Sequence, residues 1–183
     1  MNRFINEEPT LIESSTVSVD LFSETFKVND GTYINVNIYD TAGAEKYDSQ
    51  TFNYYKKADC VVLVYDVTNE ESFEACKTYV QRIKDNCKED IQVILLGNKT
   101  DLKEQRKVSE DDGIKFADKY HYLFKETSCG LNYNVADAFE SIIIMTNNDM
   151  IKNKTNISSS KTTSIVINKE TIQDKDKDNK WCC

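Results

Sequence analysis

Ile34 to Thr68, INVNIYDTAGAEKYDSQTFNYYKKADCVVLVYDVT, is the stretch from which the rest of the chain is read. Ile34, Val36 and Ile38 alternate with polar residues, which is the period of a strand with one buried face. Val61 to Tyr65 is a short continuous apolar run, the pattern of a parallel strand covered on both faces. Between them lies Asp40-Thr41-Ala42-Gly43. An acidic residue at a strand end, followed by a small-residue turn, suits a place where a carboxylate and backbone N–H groups meet a phosphate and its metal. The same four residues also read as an ordinary strand-to-loop turn, because Asp and Gly punctuate many loops.

Working outward, residues 17–28 and 32–39 flank Asn29-Asp30-Gly31, and an Asp-Gly pair between β-rich segments predicts a hairpin. Downstream, Thr68 and Glu71 have capping-box spacing, and Phe73, Cys76, Val80, Ile83 and Cys87 recur at helical period. Residues 91–96 predict a second buried strand. Ser109 opens a helix with Ile114, Phe116, Ala117 and Tyr120 apolar, residues 122–125 a short strand, and Asn134 a last helix carrying Val135, Ala138, Phe139, Ile142 and Ile143. Strands alternating with helices imply an α/β fold: a mainly parallel sheet with helices on both faces and a ligand site at the carboxyl ends of the strands.

The 183 residues suffice for one domain and a tail. The net charge of -8 is uneven: residues 1–150 hold 16 Lys and Arg against 27 Asp and Glu, and residues 151–183 hold 7 against 4. An acidic domain without a basic stripe argues against nucleic acid as the main partner. Cys60, Cys76, Cys87 and Cys129 are scattered through apolar or helical contexts without metal spacing, as in a reduced, cytosolic compartment. No apolar run has the length of a bilayer span. Residues 151–183 are dominated by Asn, Lys, Ser, Thr and Asp, with no sustained apolar period, and read as a disordered tail ending in Trp181-Cys182-Cys183.

Three loops follow carboxyl ends of expected parallel strands and so converge: residues 40–45, 97–101 and 127–130. In Asn98-Lys99-Thr100-Asp101 the Asp can accept paired hydrogen bonds from the N1–H and exocyclic amine of guanine, a donor pair that adenine lacks. The Asn amide can brace neighbouring loops and the Lys stem can cover a flat base.

Asp40-Thr41-Ala42-Gly43, Asn98-Lys99-Thr100-Asp101 and Glu126-Thr127-Ser128, in this order and spacing, resemble the Ras-like small GTPases. The segments from Tyr54 to Ala58 and from Leu63 to Thr68 resemble the Rab branch, which controls vesicle traffic. The resemblance runs from about Arg3 to about Met150 and implies GTP or GDP and Mg2+ as cofactors. Residues 15–20 are similar to the family's first switch, which implies Thr16 as a magnesium ligand. The resemblance further implies Asp40 as holding magnesium through water, and Gly43 as offering its N–H to the γ-phosphate. Asn98, Lys99 and Asp101 would hold guanine, with the backbone at Ser128 and Cys129 approaching the base oxygen. The terminal Cys182 and Cys183 resemble the Rab double-cysteine ending, which implies prenylation of both by the prenylation machinery. Two lipid chains give stable anchoring to the cytosolic face of a membrane where one is marginal.

The departures from the family pattern are specific. The GxxxxGK[ST] phosphate-binding loop is absent from the sequence, as is the strand that precedes it. The expected fold therefore lacks a central strand, leaving a gap between the strand ending at Tyr39 and the one at Val61. Ala44 stands where the family has the Gln that orients the attacking water, Gly130 where it usually has a Lys against the base, and Tyr39 where it usually has a Trp. The tyrosines at 54 and 55 are expected to pack on the sheet, and His121 to have a surface or packing role. The resemblance thus implies a monomeric, lipid-anchored switch that recruits trafficking effectors and turns over slowly or not at all. Two alternatives are a nucleotide-independent pseudo-GTPase that keeps the effector face, and an incomplete chain of an ordinary member.

Overall fold

A computed structural model of the chain describes residues 20–27, 31, 33–41, 48–153 and 162–169. Its elements in order are β1 (Asp20–Lys27), β2 (Tyr33–Thr41), α1 (Asp48–Lys57), β3 (Cys60–Asp66), α2 (Glu70–Asn86), β4 (Gln92–Asn98), a 3-10 turn (Lys103–Gln105), α3 (Glu110–Tyr120), β5 (Leu123–Glu126), α4 (Val135–Asn153) and β6 (Thr162–Lys169). Among the described residues they form one six-stranded sheet in the order β1-β2-β6-β3-β4-β5. Only β1 runs against its neighbour, as the hairpin pattern predicts, with Asp20 opposite Asp40 and Lys27 opposite Tyr33. Gly31 has φ +83°, a conformation that an L side chain adopts only at a cost.

The strand between β2 and β3 corrects two expectations. The gap expected there is filled, and the chain fills it from its own tail. β6 lies parallel to both neighbours, with Ile165 beside Ile38 on β2 and beside Cys60 on β3. Residues 162–169 are therefore not part of a disordered tail, and α4 carries helix to Asn153, past the expected boundary at Met150. The physical reason joins local propensity to distant pairing. Thr162-Thr163-Ser164-Ile165-Val166-Ile167 is β-branched at five of six positions, and β-branched residues fit a pleated, buried surface. These six residues are hidden in the average composition of the 33 residues 151–183, yet they satisfy the backbone of two strands that would otherwise face a gap. Thr41 adds a cross-strand tie, its hydroxyl donating to the carbonyl of Ile167 at 2.7 Å.

Alternation then sorts the core into two layers. Val61, Leu63 and Tyr65 of β3, Val93 and Leu95 of β4 and Val166 of β6 pack with Tyr55, Cys76, Val80, Ile83 and Phe116 from α1, α2 and α3. Val36 and Ile38, Cys60 and Val62, Ile94 and Leu96, and Ile165 and Ile167 face the other way, against Ala138, Phe139, Ile142 and Ile143 of α4. The sheet is covered on both faces, as the run Val61 to Tyr65 implied. Tyr55 is buried and Tyr54 stacks at 4.8 Å on Tyr39, which places both tyrosines on the sheet as expected. Ile114, in contrast, is 40% exposed, because it lies off the stripe formed by Phe116 and Ala117.

Helix ends follow capping chemistry, with one correction. The cap of α2 is Asn69 rather than Thr68: its side-chain oxygen accepts from the N–H groups of Glu71 at 2.9 Å and Ser72 at 3.3 Å. The hydroxyl of Thr68 is instead taken by the Asp66 carboxylate at 2.7 Å. Ser109 caps α3 as its position predicts, and His121, in the left-handed region at φ 59°, closes that helix as an exposed residue. Among the described residues no helix is long and apolar enough to cross a membrane.

Candidate functional site

The carboxyl edge of the sheet is aligned by register. Asp66 of β3 lies beside Asn98 of β4, Gly97 of β4 beside Glu126 of β5, and Thr41 of β2 beside Asn168 of β6. Every loop leaving a parallel strand on this side starts at the same height, so Asn98, Lys99, Asp101, Ser128 and Cys129 come together as the sequence predicts.

Asn98 is 3% exposed and works as a brace. Its amide oxygen accepts from the Thr127 hydroxyl and from the Cys129 N–H, both at 3.3 Å, which ties the β4 loop to the β5 loop. Backbone bonds reinforce the joint: Thr127 N–H donates to Gly97 O at 2.8 Å and Thr100 N–H to Thr127 O at 3.2 Å. The β5 loop is closed in turn by reciprocal bonds between Ser128 and Tyr133 and by the Asn134 side chain, which donates to Glu126 O at 3.1 Å.

The Asp101 carboxylate accepts from the Ser128 hydroxyl at 2.5 Å, and that hydroxyl accepts from Leu131 N–H at 3.0 Å. One carboxylate oxygen is thus fixed by Ser128. Lys99 sits in the left-handed region at φ 67° and its ammonium pairs with Asp66 at 2.8 Å. The side chains of that pair are only about a fifth exposed, at 18% and 21%, so the Lys stem is held along the edge rather than extended into water. Gly130 stands against Asp101: a Cβ added there would lie 3.5 Å from its carboxylate, so the chain beside that carboxylate is bare backbone.

Asp66 and the Arg106–Glu126 pair are the supports that sequence reasoning missed. Arg106 makes a two-pronged contact with Glu126, at 2.6 and 2.9 Å, and also donates to the carbonyl of Val108 at 3.1 Å. The hydrogen bond to Glu126 holds the guanidinium pKa above its ordinary value, against the opposing effect of burial. Asp66 was legible in principle, because it ends an apolar run and so must stand at the carboxyl end of a buried strand. Arg106 gave no such signal, since its partner is 20 residues away across a helix.

Asp40 occupies the same edge on β2, buried at 5% exposure. Three strand spacings separate β2 from β4, about 14 Å, a span that a nucleoside di- or triphosphate can bridge. Thr16, Gly43 and Ala44 lie outside the described residues, as do Cys182 and Cys183. Among the described residues no group of three or more His, Cys, Asp or Glu is arranged to hold a metal ion.

A mainly parallel sheet, with the loops after β4 and β5 tied together at its carboxyl edge, defines an α/β protein of the class that places ligand sites at that edge. The sequence profile of the Ras family matches residues 1–148. Among curated proteins the chain is 36% identical over 155 residues to Ras-related protein Rab-11B of Dictyostelium discoideum, covering 85% of this chain and 70% of that protein. It is 38% identical over 128 residues to Ras-related protein Rab-8A of Bos taurus and 39% over 125 residues to Rab-8A of Gallus gallus. These matches cover 70% and 68% of this chain and only 61% and 60% of those relatives. The chain belongs to the Ras family, in its Rab branch.

Proposed function

We propose that this chain is a guanine-nucleotide-binding switch protein of vesicle trafficking, anchored to a membrane by lipids on Cys182 and Cys183. The observation that supports it best is the base half of the site. Asp101 is set by Ser128, Lys99 by Asp66, and Asn98 joins the two loops that would enclose guanine. Asp40 is a hard carboxylate oxygen donor at the phosphate end of the same edge and fits Mg2+, which keeps several waters and takes one or two carboxylates. When bound, the metal would neutralise phosphate charge; Thr16 and Gly43 are the further residues proposed to face it. Ala44 offers a methyl group where a water-orienting amide is needed, so hydrolysis is slow or absent. Trafficking effectors would read the nucleotide-dependent face of a monomer on the cytosolic side of an intracellular membrane.

The test is equilibrium binding of labelled GDP and GTP to the purified chain with and without Mg2+. Magnesium-dependent binding of guanine and not adenine nucleotides is expected. No binding of either would remove the switch reading for this chain.

A second reading, a nucleotide-independent effector-binding module, draws on a specific feature. β6 occupies the central position, but the residues after it are Glu170-Thr171-Ile172-Gln173-Asp174, without the glycines whose N–H groups wrap phosphates. Partner capture that is equal with GDP, GTP and no nucleotide would favour this module over the switch.

A further inference from the structure

We infer that the lipid bilayer faces the carboxyl edge of the sheet, the edge that carries Asn98, Lys99 and Asp101, because the anchored tail leaves the domain there. This rests on the proposed lipidation of Cys182 and Cys183. α4 ends at Asn153, and β6 then begins beside Asn35, near the amino end of β2. From there β6 runs parallel to β2 and β3 and brings the chain to the opposite edge, with Asn168 beside Thr41 and Leu63 and Lys169 beside Val64.

Tether length makes the exit edge matter. Thirteen steps join Lys169 to Cys182, so a flexible tether has a root-mean-square reach of about 20 Å. A strand such as β4, seven residues long, separates the two edges by about 23 Å. The amino edge is therefore held about one tether length further from the lipids than the carboxyl edge. Had the tail been loose from Asn153, 29 steps would give a reach of about 30 Å, longer than the strand length between the two edges, and the preference for one edge would be lost.

The surface at the carboxyl edge suits a lipid neighbour. Leu131 and Tyr133, in the loop after β5, are 71% and 55% exposed, and Lys103 and Lys107 beside β4 are exposed. Trp181, next to the cysteine pair, belongs to the residue types that settle at a membrane–water interface. Residues 170–183 hold four acidic and three basic side chains, so charge does not draw the tether to anionic lipid. The consequence is that the guanine-reading loops open into the space between protein and bilayer.

The experiment uses the full chain carrying geranylgeranyl groups, bound to phosphatidylcholine vesicles that contain dansyl-labelled phosphatidylethanolamine. In a Trp181→Phe background, a tryptophan donor is placed at exposed Glu104, after β4, or at exposed Asp90, before it. Energy transfer from Glu104→Trp is expected to exceed that from Asp90→Trp severalfold. Equal transfer, or more from Asp90→Trp, overturns the orientation. A flexible spacer of about 40 residues inserted between Lys180 and Trp181 is expected to erase the difference. A difference that survives the spacer unchanged overturns the tether as its cause. Intact-mass measurement of membrane-bound protein from cells is read separately. Two free thiols there would overturn the lipidation reading, and this inference with it, whereas lipidated protein with the wrong orientation overturns this inference alone.

Discussion

Replacing Ile165 by Ala tests the least expected part of the fold. Ile165 sits at the centre of β6, is 0% exposed, and packs in the layer of Val36, Val62, Ile94 and Ile142. Its neighbours in register are Ile38 and Cys60, both also fully buried, so the site has rigid walls on both sides and little room to collapse. Removing three carbons from such a position costs about 2–5 kcal/mol, lost burial and the residual cavity together. A chain of this size loses about 2–4 °C of melting midpoint for each kcal/mol, so a cost of about 3 kcal/mol lowers Tm by about 6–12 °C. The assay is thermal unfolding followed by far-UV circular dichroism, with Ile114→Ala as a control of identical chemistry at a position 40% exposed. The control is expected to shift stability by no more than about 0.5 kcal/mol. If Ile165→Ala melts together with Ile114→Ala, residues 162–169 are not in the sheet and the tail behaves as its composition suggests.

Asp101→Asn is expected to weaken GDP binding by about 10- to 150-fold, the loss of a hydrogen bond to a charged group, measured by fluorescence titration; unaltered affinity would dissociate Asp101 from guanine. Tyr65→Phe is expected to leave stability unchanged or raise it by about 1 kcal/mol in urea titration, because the buried Tyr65 hydroxyl has no hydrogen-bond partner among the described residues and its removal ends that desolvation. Gly113→Ala is expected to destabilise by about 1–3 kcal/mol, since its Cβ would stand 2.6 Å from the Phe124 ring and from the Tyr65 hydroxyl. Burial pushes the Cys60 thiol from 9.0 up to about 12 and the Cys87 thiol from 9.0 up to about 11. The folded chain therefore keeps protons that the unfolded chain releases, and these thiols' contribution to stability, full below pH 9.0, is expected to fall as pH rises from there towards 12, as read by denaturant titration across that window.

Much of this was legible because the signals were local. The run Val61 to Tyr65, the alternation at Ile34, Val36 and Ile38, and the Asp-Gly hairpin each name a strand without reference to the rest of the chain. Asn98, Lys99 and Asp101 were legible for a compound reason: the motif follows a buried strand, so topology fixes the edge on which it emerges. The cap at Asn69 was missed because two adjacent residues could both supply an oxygen, and Asp66 captures Thr68, leaving Asn69 to cap. β6 was missed for a physical cause of another kind. Averaged over residues 151–183, polarity conceals Ile165, Val166 and Ile167, and their strand state is conferred by two neighbours more than 90 residues away in sequence. Resemblance pointed to a vacancy beside β3 and composition to a loose tail, and neither reading joined the two.

The position of β6 also orders events during synthesis. Its partners Ile38 and Cys60 leave the ribosome more than 100 residues before Ile165 does. Through that interval the β1–β2 hairpin and the β3–β4–β5 block each present a long, unpaired inner edge to whatever is nearby. Contacts this distant in sequence form slowly, and unpaired edges of emerging chains are where misassembly begins. The nascent chain thus has a defined vulnerable period, ending when Thr162 to Lys169 emerges, in which a holding chaperone has two specific edges to cover.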